Sequence, residues 1–531
     1  MTEPGRPPSL STGPDSGLPN TEKPIISTVL PRGGTLTGTT ASIAGLLPHL
    51  TQAPLVRLNR STDRVEPWLA ESWTTSADNR TYTFKLRPNL RWSDGTALAA
   101  DDVAAAINGA PLPLLTGGSA EGQSALAARV VDASTVELQF PAAFAPALRV
   151  LDRMPILPRH APQDRVGLGP FVAAPADGKA SRPPAARTLV RNPHYWRNAP
   201  DGSPLPYLDQ LVLREAGGTS PDGDFSDNAV RVDDYEAFRK IEQDGKLRIY
   251  EVGPGLDAGA LWFRPASAAS QLRRGEGGDD DRPWLGSEAF RLAISAAIDR
   301  RAYCKQVFFG ACDPMLLPVS PSNVAWYNPD LPLGRGDADL AREMLAEMGL
   351  RDRTGDGILE DAARRKVGFS LLIRSNVPSA ARAGAFFQAA LRAAGIDVTV
   401  SPVSADAMRA RRMKGNYEAI YDLVRFDDTD PAMQLDFWLS SGSAHVWGAH
   451  PPLDWERQID QLMLKQAATF DRVERLQAFV DVQRIYSQHM PALFFGAPHV
   501  RVFTSTRLLN AAPSPLRPHL LWNAENLAAL K

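Results

Sequence analysis

Apolar residues alternate along the first half of the chain and recur every three to four positions along the second. Residues 81–87 (TYTFKLR) place Tyr82, Phe84 and Leu86 on one face, the period of a half-buried strand. Residues 135–140 (TVELQF) repeat it with Val136, Leu138 and Phe140. Between them, 101–109 reads as a short helix opened by Asp101, whose carboxylate can cap free backbone N–H groups. From 287 to 301 the period changes: Phe290, Ile294 and Ile298 stand four apart, a helical stripe. Residues 379–394 carry Phe386, Phe387, Ala390 and Leu391 on a second helix that stops at Gly395, a usual left-handed terminator. Strand 396–400, a helix near 405–414 and strand 417–424 follow. Helices alternating with strands predict a parallel sheet covered by helices. Asp471, with Glu474 three residues on, opens a helix over 471–488, and 492–495 (ALFF) reads as a buried strand. No internal repeat is visible.

The 531 residues imply about three structural units. With 58 Lys+Arg against 60 Asp+Glu the net charge is −2, which argues against a nucleic-acid partner, since such binders carry a basic excess or patch. Two cysteines, Cys304 and Cys312, exclude a disulfide framework and a thiolate-only zinc site. They are expected as free thiols, though near enough in sequence to bridge in an oxidising compartment. Residues 1–23, rich in Pro, Gly and Ser, read as a disordered arm, and 273–282 (RRGEGGDDDR) as a solvated linker. No apolar leader core and no run of 18 apolar residues is present. Asp352 to Ile358 resembles a calcium loop, but position twelve is Ala363 where a bidentate Glu belongs, so a polar turn is expected. His445 and His450 could ligate nickel or haem, but a surface loop is the expectation. No G-x-S-x-G, H-E-x-x-H, Walker loop or C-x-x-C occurs, so neither catalysis nor a cofactor is expected.

Five segments, in order, resemble the large extracytoplasmic solute-binding proteins of peptide and nickel ABC transporters, family 5. They are Pro67-Trp68-Leu69-Ala70-Glu71-Ser72-Trp73 with Tyr82 to Arg87, Asp94-Gly95 and Asp101-Asp102-Val103; Gly167 to Phe171 with Val190-Arg191-Asn192-Pro193-His194-Tyr195-Trp196; Phe290 to Arg300; Asp427-Asp428-Thr429-Asp430-Pro431; and Asp471 to Phe494. The resemblance implies an α/β, two-lobe periplasmic-binding-protein-like fold of type II. Lobe I would take 24–265 and 490–531, with an inserted subdomain at about 70–185, and lobe II 266–489. It implies a monomer outside the cytoplasm that captures a small solute, an oligopeptide or similar amphiphile, and passes it to ABC permease subunits. A cytoplasmic sensor with the same fold, or a binder of a nickel chelate, opine or sugar, remains the alternative.

The resemblance also names site residues. Asp427 matches the carboxylate that holds a ligand amine, and Arg374 matches a carboxylate-holding arginine. Asp430 is a further candidate, although the three aspartates also fit a turn and cap cluster. The family's Gly-Trp pair before this turn is replaced by Arg425-Phe426. The stacking surface is then lost or moved to Phe426, and Arg425 brings a positive charge that favours an anionic ligand or pairs with Asp427 or Asp428.

Overall fold

The computed structural model describes residues 30–530 except 109, 111–124, 164, 175–185, 216–220, 222, 265–281 and 448–451. The expected arm, most of the expected linker and His450 lie outside the described residues. The alternating segments form strands as read. Thr81–Leu86 pairs with Ala70–Thr75 on one side and Thr135–Gln139 on the other, and Ala127–Asp132 completes a four-stranded antiparallel sheet. Tyr82, Phe84, Leu86, Val136 and Leu138 are all buried. The helix Ala100–Ile107 is capped by Asp102 rather than Asp101: the Asp102 carboxylate accepts the Ala99 N–H at 3.1 Å.

The largest sheet is mixed. Gly368–Arg374 runs parallel to Asp397–Val403 and to Ala419–Val424, as the helix–strand alternation predicts. Ala419–Val424 then pairs antiparallel with Ala258–Phe263. The helix Pro378–Ala393 covers this part, ending before Gly395, whose φ of +87° is the left-handed geometry expected there. The single helix expected over 287–301 is two: Glu288–Ala297 and Arg300–Val307. Asp299 breaks it by capping the N–H groups of Arg301 and Ala302. The break turns Arg300 inward, where its guanidinium reaches the carbonyls of Met315 and Phe494 at 2.9 Å each.

The buried strand at 492–495 is far longer than expected. Ala492–Ser505 is a 14-residue strand shared by two halves of the molecule. Its first part pairs with Ala258–Phe263 and Cys312–Pro314, its second with Leu247–Pro254 and Phe225–Ser226. Beyond Phe225–Ser226 the sheet continues through Thr35–Thr40, Gln210–Glu215, Ala186–Arg191 and Phe171–Ala173. Pairing changes partner at 254–258 on one crossing strand and 496–499 on the other. These two adjacent crossing strands keep both sheet halves hydrogen-bonded where the chain passes between them. Cys304 and Cys312 are disulfide-bonded, which corrects the expectation of free thiols. The helix Arg300–Val307 and the strand Cys312–Pro314 bring them together, with 5.1 Å between their Cα atoms.

Candidate functional site

The segment after strand Ala419–Val424 carries the acidic turn to the boundary between the two halves. Facing it is the helix Ala147–Asp152, which packs beside strand Val56–Asn59 in the other half. Arginines four apart, Arg149 and Arg153, share a face of that helical segment. Asp428 is almost wholly buried, its side chain 2% exposed. Its Oδ1 accepts Arg149 Nε at 2.7 Å and its Oδ2 accepts Arg153 Nη2 at 3.0 Å. Arg149 Nη2 also donates to Asp63 Oδ1 and to Thr429 Oγ1, each at 2.8 Å, and Thr429 Oγ1 donates to Asp63 Oδ2 at 2.6 Å. Burial pushes the Asp63 carboxyl above its usual range, with Arg149 opposing. Burial works against the Arg149 charge, but Asp428 and Asp63 outweigh it and hold the guanidinium above its ordinary value.

The five expected residues are placed differently from one another. Asp430 forms a two-point pair with Arg475, at 2.7 and 2.9 Å, and its Oδ1 caps the short 3₁₀ turn Pro431–Gln434. Arg374 pairs with Asp422 at 2.8 Å, on the neighbouring strand. Phe426 is buried and packs edge-on against Phe437, with ring centres 5.0 Å apart, beneath the turn. Arg425 is exposed, and among the described residues its expected partners are otherwise engaged: Asp428 by Arg149 and Arg153, Asp427 by Arg517. Asp427 is the open carboxylate of the turn, its side chain 63% exposed and 3.5 Å from Arg517. Arg517 itself is held by Asp257 at 3.0 Å, beside the crossing strands.

Arg149, Arg153, Asp63 and Arg517 escaped the sequence reading. A helical i, i+4 arginine pair in RVLDR was the one available signal; the pairing of residues 86 to 366 positions apart was not. Two other expectations are settled locally. The Asp352 carboxylate accepts the N–H groups of Gly355 and Gly357, and Asp356 pairs with Lys366 at 2.6 Å, the polar turn expected there. His445 lies inside rather than in a surface loop: its side chain is 5% exposed and its Nδ1 is 3.1 Å from the Phe437 carbonyl.

The sequence pattern of the bacterial extracellular solute-binding proteins, family 5 Middle, matches residues 64–445. The chain belongs to this family. It is 24% identical over 520 residues to a probable ABC transporter-binding protein of Deinococcus radiodurans, covering 86% of this chain and 84% of that one. It is 24% identical over 495 residues to the dipeptide-binding protein of Escherichia coli, covering 85% and 84%. The fold superposes with a TM-score of 0.71 on the oligopeptide-binding protein AppA from Bacillus subtilis in complex with a nonapeptide, at 19% identity, covering 95% of this chain and all of that one. The fold is therefore the two-lobe, type II periplasmic-binding-protein fold, and the family is one of binding proteins.

In this solute-binding protein the halves meet tightly beside the acidic turn. Arg149 and Arg153 from one half close on Asp428 and Thr429 of the other. Behind the turn, within the second half, the space among Leu256, Ser320, Asn323, Phe426, Asp428 and Phe479 is about 10 Å³, the room of one water molecule. The backbone N–H of Ala145 donates to the Ala467 carbonyl at 2.7 Å, a further tie between the region after the four-stranded sheet and the helix Asp454–Ala468. A solute enters such a seam only when the halves part about the crossing strands.

Proposed function

We propose that this solute-binding protein takes a small peptide, or a peptide-like amphiphile, at the seam beside Asp427 and delivers it to the permease of an ABC importer. The strand pairing supports a first lobe running to about 254 and resuming near 499, with the second lobe between. Binding is by closure of these lobes, with no covalent chemistry, and the protein acts as a monomer outside the cytoplasm. The Cys304–Cys312 bond supports that compartment, because structural disulfides persist in oxidising surroundings.

One observation carries the ligand class. Of the three aspartates in the turn, Asp428 and Asp430 are locked into buried ion pairs, while Asp427 keeps an exposed carboxylate. Arg425, two residues away, is exposed as well. The turn so presents an exposed charge of each sign, Arg425 and an Asp427 held only at 3.5 Å by Arg517, the complement of a zwitterionic peptide. An ammonium closed against Asp427 gains a charge-assisted hydrogen bond in surroundings drier than water. The dipeptide and nonapeptide named for the relatives support the same class.

Thermal denaturation of ligand-stripped protein with di- to pentapeptides tests this. A peptide at 100 times its Kd adds about 2.7 kcal/mol. Asp427→Asn weakens such a peptide at least tenfold, and N-acetylation of the peptide weakens it to the same degree. If no peptide shifts the transition, the ligand class is wrong. Unchanged affinity in Asp427→Asn removes the anchor.

A further inference from the structure

The seam holds a cluster of charges that ties the two halves to each other through the protein's own side chains. Asp428 and Thr429 come from one half; Asp63, Arg149 and Arg153 come from the other. Arg149 stands at the centre, its guanidinium reaching Asp428, Thr429 and Asp63 together. Asp428 is the most deeply enclosed, held also by the Asp430 N–H on its Oδ1 at 3.0 Å.

The charges are arranged so that the contact is reversible. When the halves separate, Arg149 keeps Asp63 from its own side, so its charge stays balanced. Arg153 is already 40% exposed and hydrates readily. Asp428 regains water as the seam opens. A buried pair gains Coulomb attraction but loses hydration, and the two are of similar size. The net hold is then modest and depends on how far salt screens the attraction as the halves approach. A well-packed apolar seam would show the opposite dependence, because salts strengthen apolar burial.

We propose that Asp428, Arg149 and Arg153 form an ionic latch that populates the closed form without a solute, with Arg149 as its positioning residue. This rests on the seam being the solute site. The latch sets how much of the ligand-free protein stands open to receive a solute, and apparent affinity falls in proportion when the open form is scarce.

Small-angle X-ray scattering on ligand-stripped protein reads the latch directly, with no ligand needed. Sodium chloride raised from about 0.01 M to about 1 M shortens the screening length from about 30 Å to about 3 Å. The expected result is an open fraction at least threefold larger at high salt. Asp428→Asn and Arg149→Gln are expected to show that larger fraction already at low salt, with little further response. Arg129→Gln, which breaks the exposed Arg129–Glu137 pair within one half, is expected to leave the salt response unchanged. A scattering profile identical at both salts overturns the latch, and so does an unaltered salt response in Asp428→Asn. Should either variant fail to fold, the salt series on the unaltered protein still decides. Loss of all peptide binding with the salt response intact would instead count against the peptide reading alone.

Discussion

Gly496 lies where three strands meet, opposite Gly259 on one side and Pro314 on the other. A Cβ added there would overlap Cys312 Sγ, and would stand 2.7 Å from Cys304 Sγ and 3.0 Å from the Asp313 carbonyl. None of these neighbours is the free end of a flexible side chain. The two sulfurs are bonded to each other and fixed to a helix and a strand. Overpacking a tight interior costs about 1–3 kcal/mol, and the rigid neighbours put Gly496→Ala near the upper end, about 3 kcal/mol. Removing both sulfurs in Cys304→Ala/Cys312→Ala opens the space, so the same methyl then costs about 1 kcal/mol or less, and the cycle shows a coupling of about 2 kcal/mol. Urea midpoints of the four proteins, followed by circular dichroism, measure it. A Gly496→Ala within about 0.5 kcal/mol of its parent, or an equal cost in both backgrounds, would refute the packing of the disulfide against the shared strand.

Other outcomes follow from the same structure. Cys304 and Cys312 close a loop of sequence separation 8, so reduction or the Cys304→Ser/Cys312→Ser pair should lower stability by about 2.5 kcal/mol, read as a lower urea midpoint than that of the oxidised protein. His519 is buried with its Nδ1 2.9 Å from the Ser514 carbonyl, and burial, reinforced by Arg517, pushes its pKa down to about 4. The unfolded chain takes up this proton below about 6.5 and the fold does not, so stability is whole above that value and falls by about 2 kcal/mol by pH 5. Buried Asp227, raised to about 6 mainly by burial, runs the other way, losing its contribution as pH rises between about 4 and 6. His49 is also pushed down to about 4, mainly by desolvation, although the residue is exposed and water screens its share. His519→Gln should therefore remove at least half of the histidine slope between pH 7.5 and 5 while leaving the shares of His49 and Asp227; a slope equal to the parent's would contradict the assignment.

Local patterns carried much of this structure. Alternation in TYTFKLR and TVELQF, the stripe with Phe386 and Phe387, Gly395 and the Asp471 cap are each settled within a few residues, and the structure has them as read. The fold class was legible through motifs in order along the chain, and the family match agrees with it. What eluded the sequence is what distance in the chain conceals. ALFF reads as a four-residue buried strand because Gly496 and Pro498 follow it, yet the strand continues: His499 reaches Asp313 and Arg501 reaches Glu251, partners on neighbouring strands. Asp428 read only as a member of the turn and cap cluster until Arg149 and Arg153 met it from the far half. The disulfide depends on a helix turning back to a strand beside the shared strand, which two cysteines in a sequence do not reveal.

Hinged capture at the seam is tested most directly by the distance between the halves. Spin labels at Ala127→Cys, on an exposed position of the four-stranded sheet, and Met413→Cys, at the exposed end of the helix Ala405–Met413, report it by double electron–electron resonance. The native cysteines, bonded to each other, take no label. Ligand-stripped protein should show two distances, and a peptide that raises thermal stability should collapse them to the shorter one. A single distance, unchanged by such a peptide, would contradict the account.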